Sequence, residues 1–250
     1  MHNKLNTKNV RIIQMEENEN SGKKLGALLS GGKDSLFATY LMKKKNHLIK
    51  CIITIESDNS HSYMFHTPNI SMTGLQAESM DLPLIIGKTK GEKEEELADL
   101  RQVIKKAKDE QNIEGVITGA LYSDYQRKRI ETVCEELGIE VFSPLWHFNQ
   151  EEEMRLLLNE GFKIIFSSIA CYGLNKNWLG KVITQEDVNR LVELNKNYGI
   201  NIAGEGGEFE SLVLDCPLFS KKIEIKDKEI IEENENTANL IINDAELVEK

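Results

Sequence analysis

The densest chemistry in this sequence lies in Ser30-Gly31-Gly32-Lys33-Asp34-Ser35. Two adjacent glycines let the backbone turn tightly and approach a ligand with no Cβ in the way. Two hydroxyls, one compact cation and the open end of a following helix suit an anion, phosphate above all. Asp34 is the exception. Beside phosphates its charge repels unless it caps the helix or meets Mg2+, and magnesium is the favoured reading. The loop is not a Walker A sequence: Gly32 stands where the lysine belongs, and Asp34 follows Lys33 in place of Ser or Thr. Nor is it the GxGxxG dinucleotide fingerprint.

Two other segments are candidates. Gly119-Ala120-Leu121-Tyr122-Ser123-Asp124-Tyr125-Gln126-Arg127, with Arg129 beyond, runs from an apolar stretch into a helical one. Arg127 and Arg129 lie two apart on a helix and face differently, so at most one enters a cleft. Gly204-Glu205-Gly206-Gly207-Glu208-Phe209-Glu210 packs three glycines and three carboxylates into seven residues, a poor core segment. It reads either as a solvated turn or as a carboxylate-lined loop that meets a cation or an ammonium group. His66 precedes a helix start and serves either as a cap or packing group or as a substrate contact. Cys134 and Cys171 sit at apolar positions that suit packing better than nucleophilic work. Trp146 and Trp178 read as core or interface.

These segments need a frame, and periodicity supplies one. Strands are expected at 23–30, 48–55, 82–87 and 115–121, alternating with helices at 35–46, 67–81, 92–111 and 122–137. Thr67 and Pro68 read as N-cap and N1, and Gly138 as the residue that stops its helix. Such alternation implies a parallel sheet covered by helices on both faces, with ligands at the carboxyl ends of the strands. The second half predicts helix 150–160, strand 162–169, helix 184–198 and strand 210–215. A closing antiparallel hairpin follows over KKIEIKDKEII and ANLIINDAELV. We therefore expect a flexible extension at 1–22, an α/β domain over 23–140, and a smaller α+β domain over 141–250. Met15 is an alternative start.

Composition narrows the class. The chain has 250 residues, 40% hydrophobic and 29% charged, which is ordinary for a globular protein. No apolar run approaches the roughly 20 residues of a membrane helix, and the N-terminus lacks a signal-peptide core. Lys+Arg 31 against Asp+Glu 41 gives a net charge of -10, which does not favour nucleic acid. Four scattered cysteines with no CxxC pair fit a reducing cytoplasm.

The loop at 30–35 resembles that of the PP-loop ATP pyrophosphatases. With Met64-Phe65-His66-Thr67, Trp178-Leu179-Gly180 and the Gly-Glu-Gly-Gly-Glu segment, the chain resembles the diphthine–ammonia ligase family over roughly residues 24–225. That resemblance implies a HUP-like fold and amidation of diphthine on translation elongation factor 2. ATP would form an acyl-adenylate, ammonium would supply the nitrogen, and AMP and pyrophosphate would leave. It further implies that Ser30, Gly31, Gly32, Lys33, Asp34, Ser35, Ile55, Gly119 and Ala120 bind ATP, with the backbone near Ile53–Glu56 meeting the adenine. Lys33, Asp34, Arg129, Glu205 and Glu208 would carry the chemistry, and Asp34 would bind Mg2+. His66, Tyr125, Gln126, Gly206, Gly207 and Glu208 would meet the substrate. Membranes and direct nucleic-acid contact are not expected, and a homodimer is compatible. Alternatives are a PP-loop RNA-thiolating or RNA-amidating enzyme, a glutamine-dependent synthetase, and a nucleotide-binding module without turnover.

Overall fold

A computed structural model describes residues 22–58, 69–92 and 95–250. Five parallel strands form the first sheet: β1 (Lys24–Leu28), β2 (Leu48–Ser57), β3 (Leu84–Thr89), β4 (Gly115–Ile117) and β5 (Glu140–Phe142). Their order is β3-β2-β1-β4-β5. The order reverses between β1 and β4, so the topological switch point lies at the end of β1, where the glycine loop begins.

Helices α1 (Lys33–Lys44), α2 (Thr73–Ser79), α3 (Glu95–Gln111) and α4 (Asp124–Leu137) connect these strands. Adjacent β2 residues point to opposite faces. Ile52 joins a core with Leu36 and Phe37 of α1 and Ala77 of α2. Ile53 joins another with Leu100 and Ile104 of α3 and Ile130 and Val133 of α4. The sheet is thus covered on both faces, and nearly continuous apolar runs such as Leu25–Leu29 are what such burial demands.

The second sheet has the order β7-β6-β9-β8. It comprises β6 (Lys163–Ala170), β7 (Phe209–Asp215), β8 (Lys222–Asn234) and β9 (Thr237–Val248), all antiparallel. Helices α5 (Gln150–Asn159) and α6 (Gln185–Tyr198) accompany it. Asn149 caps α5 through a 3.0 Å bond from the Glu152 N–H, and Thr184 with Asp187 forms a capping box on α6. The core that contains Leu25 and Phe37 continues through Phe166, Leu212 and Leu240 of this sheet.

The frame departs from the expectation in places. The apolar run at 115–121 forms strand only to Ile117, because the ladders to Ala27 and Phe142 end there. Ala120 N–H then turns back onto Thr118 Oγ1 at 3.2 Å. Strand β5, three residues long, is an addition, and the division drawn at residue 140 falls inside it. Helix α4 starts at Asp124, capped by Ser123 Oγ. Helix α2 starts at Thr73 behind a 3-10 turn, Ile70–Met72. Thr67, Pro68, His66, Met15 and residues 1–21 lie outside the described residues.

Candidate functional site

Residues 29–35 leave β1 and enter α1 at the switch point. Gly31 has φ +84°, a conformation that L side chains rarely adopt. Gly32 is the N-cap and provides no side-chain bond, so the Asp34 and Ser35 amides in the first turn of α1 have no capping side chain. The serines shape the loop from inside. Ser30 Oγ accepts from Gly32 N–H at 3.3 Å, and Ser35 Oγ donates to Gly32 O at 3.2 Å.

Three residues from elsewhere in the chain clamp this loop. Buried Gln76 on α2 donates through Nε2 to Gly31 O at 3.0 Å and Val213 O at 2.9 Å. Strand β7 adds Val213 N–H to Gly31 O at 3.1 Å and accepts the Lys33 N–H on Ser211 Oγ at 3.1 Å. On the other side the turn after β4 presses against α1. A Cβ on Gly119 would lie 2.6 Å from Ser35 N, so only glycine allows that approach.

Lys33 is 1% exposed and bonds Asp34 Oδ1 at 2.5 Å. Burial opposes its charge, but Asp34 and Glu153 outweigh burial and hold its pKa above the ordinary lysine range. Three further carboxyl groups act on this pair. Glu205, before β7, accepts the Tyr122 N–H at 3.2 Å; burial and then the Asp34 charge push it up. Glu210 on β7 is pushed up to about 7 by burial, then by Asp34. Glu153 on α5 is 0% exposed and raised well above the carboxylate range by burial, against the pull of Lys33. Asp34, Glu153 and Glu205 thus all raise the pKa of the Lys33 ammonium, and Lys33 in turn pulls on Glu153, Glu205 and Glu210. Among the described residues no group of three or more His, Cys, Asp or Glu is arranged to hold a metal ion.

The remaining candidates fall in several places. Glu208 does not face this cluster through any bond it makes. Its Oε1 accepts from Asn201 N–H at 2.7 Å and Nδ2 at 2.8 Å, and its Oε2 from Gly206 N–H at 2.8 Å. It folds its own loop. Gly207 has φ +80° and open space around it. Arg129 lies 3.7 Å from the Tyr125 ring centre, along α4. Arg127 lies over Trp146 at 4.4 Å and pairs with Glu131 at 2.7 Å. Neither arginine has an ion pair with the carboxylates around Lys33. The Gln126 N–H is used in capping α4, on Ser123 Oγ at 3.3 Å. Ala120 is buried beside Leu121, and the Ile55 side chain enters the core, which leaves only its backbone for a ligand. Burial pushes the thiols of Cys51, Cys134 and Cys216 up to about 12, as expected of packing residues.

Glu153, Gln76 and Ser211 carry no motif in the sequence. Glu153 belongs to the run Glu151-Glu152-Glu153, which reads as the acidic first turn of a helix. Gln76 and Ser211 are brought to the loop by tertiary contacts alone.

A doubly wound α/β sheet with an open glycine loop at its switch point defines a class of proteins that bind phosphate-bearing ligands there. Comparison with known proteins identifies the branch. The diphthamide synthase N-terminal domain family matches residues 23–141, and the diphthamide synthase C-terminal domain family matches residues 149–248. The chain belongs to the diphthamide synthase family. It is 37% identical over 227 residues to a mouse protein named diphthine–ammonia ligase, covering 83% of this chain and 85% of the mouse protein. The human protein of that name is 35% identical with the same coverage. The Schizosaccharomyces pombe protein is 35% identical over 225 residues, which span 84% of this chain and 37% of that longer protein. A solved chain from Methanocaldococcus jannaschii, described as a predicted subunit of tRNA methyltransferase, aligns over 78% of this chain and 98% of its own. The TM-score is 0.40 and the identity 20%.

Proposed function

We propose that this chain is a diphthine–ammonia ligase that uses ATP to amidate diphthine on translation elongation factor 2 in the cytoplasm. The observation that carries this is the junction at Tyr122. Its N–H holds Glu205 of the Gly-Glu-Gly-Gly-Glu segment, while Gly119 of the same turn rests on the first turn of α1. Phosphate loop and acceptor loop thus meet at one cleft.

The chemistry requires that meeting. A carboxylate has no good leaving group, so its oxygen attacks the α-phosphorus and the bond to pyrophosphate breaks. Ammonia nitrogen then attacks the acyl carbon, the C–O bond to AMP breaks, and protons pass to solvent. Open amides of α1 and the Lys33 ammonium are suited to the charge that grows on pyrophosphate. The glycine cradle at 31–32 fits triphosphate. Asp34 fits Mg2+, because that ion takes one or two carboxylates and completes its shell with phosphates and waters. Mg2+ would supply charge neutralisation of the phosphates. Glu205 stands on the acceptor side, where a negative charge favours ammonium or the trimethylammonium of diphthine. Glu208 supports the loop that carries Glu205.

Mass spectrometry of elongation factor 2 from cells lacking this protein tests the assignment. Diphthine should accumulate and return to diphthamide when the gene is restored. Unchanged diphthamide in those cells would refute it.

A further inference from the structure

Among the described residues, the phenylalanine, tyrosine and tryptophan rings that lie exposed are Tyr122, Tyr172 and Tyr198, at 43%, 65% and 54%. All three border the acceptor loop. The Tyr122 N–H donates to Glu205. Tyr172 follows the end of β6, where the Ala170 N–H donates to Glu208 O at 2.9 Å. Tyr198 ends α6, just before Asn201, whose N–H and Nδ2 hold the Glu208 carboxylate. Between them the loop exposes Gly206 and Gly207.

The rings are also held in place. Tyr172 and Tyr198 meet edge to face, with ring centres 4.9 Å apart. Gly173 has φ +94°, and a Cβ there would lie 2.6 Å from Leu194 Cδ2, so glycine lets the chain after Tyr172 close on α6. The Tyr122 hydroxyl donates to Phe148 O at 3.0 Å. A ring that is exposed yet already fixed offers a partner broad contact area at little further cost in entropy. Diphthine is a side chain of a protein, so the surface bordering the acceptor loop meets that protein when the side chain reaches in.

We propose that Tyr122, Tyr172 and Tyr198 form the docking rim for the diphthine-bearing protein, and that Tyr172 and Tyr198 set affinity for it without entering the chemistry. This rests on the ligase reading. The test is steady-state amidation with the diphthine-bearing protein as the varied substrate. Tyr172→Ala and Tyr198→Ala should each raise its KM about tenfold, the loss of an interface anchor, while kcat and the KM for ATP stay near wild type. Tyr172→Phe and Tyr198→Phe keep the ring and should lie closer to wild type. Leu48→Ala is the control. Leu48 is 54% exposed but opens β2, at the other end of the parallel sheet from the glycine loop, and its loss should change nothing. An unchanged KM for the protein in both alanine variants, or the same rise in Leu48→Ala, would overturn the proposal. So would an equal rise in the KM for ATP.

Should the alanine variants not fold, nitration of the wild type by tetranitromethane decides. The diphthine-bearing protein, added with a non-hydrolysable ATP analogue, should shield Tyr122, Tyr172 and Tyr198, read residue by residue by mass spectrometry. Undiminished nitration at Tyr172 and Tyr198 would contradict the rim. Wild-type protein that makes no AMP with that substrate, ATP and ammonium would refute the ligase reading and the rim with it. Normal turnover that ignores both tyrosines would refute the rim alone.

Discussion

The Lys33 backbone N–H donates to Ser211 Oγ at 3.1 Å, across 178 positions of sequence. This bond fastens the start of α1 to β7 of the second sheet. The strand that follows the acceptor loop therefore also sets the phosphate loop. Ser211→Ala leaves a buried N–H unpaired and should cost about 1–3 kcal/mol in urea unfolding. ATP affinity should fall with it, because the open amides of α1 lose their fixed direction. Unchanged stability and affinity would show that the two parts hold their positions independently.

Gln76 makes the same argument from α2. Its Nε2 serves Gly31 O and Val213 O together. Gln76→Leu should lower stability by about 1–3 kcal/mol, since both carbonyls lose a buried donor. Calorimetric titration with a non-hydrolysable ATP analogue should show weaker binding. Wild-type affinity would mean that Val213 N–H alone holds the turn.

Glu205 and Glu208 should separate cleanly. Glu208→Gln weakens three bonds to a carboxylate and should destabilise the protein by about 1.5–3 kcal/mol in thermal or urea unfolding. Glu205→Gln, with one backbone contact, should melt near wild type and keep ATP affinity, yet slow amidation. Collapse of ATP affinity in Glu205→Gln would place that residue in the nucleotide site.

Glu210 gives a pH signature. Its pKa rises from an ordinary 4.5 in the unfolded chain to about 7 when folded. The folded state thus holds more protons, so the contribution is full below pH 4.5 and is lost as pH rises through 7. Urea unfolding of the wild type should show stability falling across that window. Glu210→Gln should flatten the fall, leaving the part due to Glu153 and Glu205, which are shifted in the same direction. An identical slope in the variant would exclude Glu210 as the source.

Local features were legible in the sequence, and long-range ones were not. The loop at 30–35 could be read because its glycines, hydroxyls and helix start are contiguous. The parallel sheet could be read because strands buried on both faces are nearly all apolar. Strand β5 escaped because three residues, Glu140–Phe142, carry no period. Glu153 escaped because its neighbours Glu151 and Glu152 are the same residue type, and only tertiary packing buries one of the three. Glu205 and Glu208 look alike in the motif, but the partners that divide their tasks, Tyr122 and Asn201, come from other segments.

In the proposed reaction the loop at 30–35 and the carboxylates around Lys33 make one site that activates and amidates diphthine. The most direct measurement mixes purified protein, diphthine-bearing elongation factor 2, ATP and ammonium, and follows AMP, pyrophosphate and amide together. AMP, pyrophosphate and diphthamide should form in equal amounts, and Asp34→Ala should slow all three by about 10²–10³, a larger loss than its cost to the fold through the unpaired Lys33. AMP formed without diphthine, or diphthamide formed at the wild-type rate by Asp34→Ala, would contradict it.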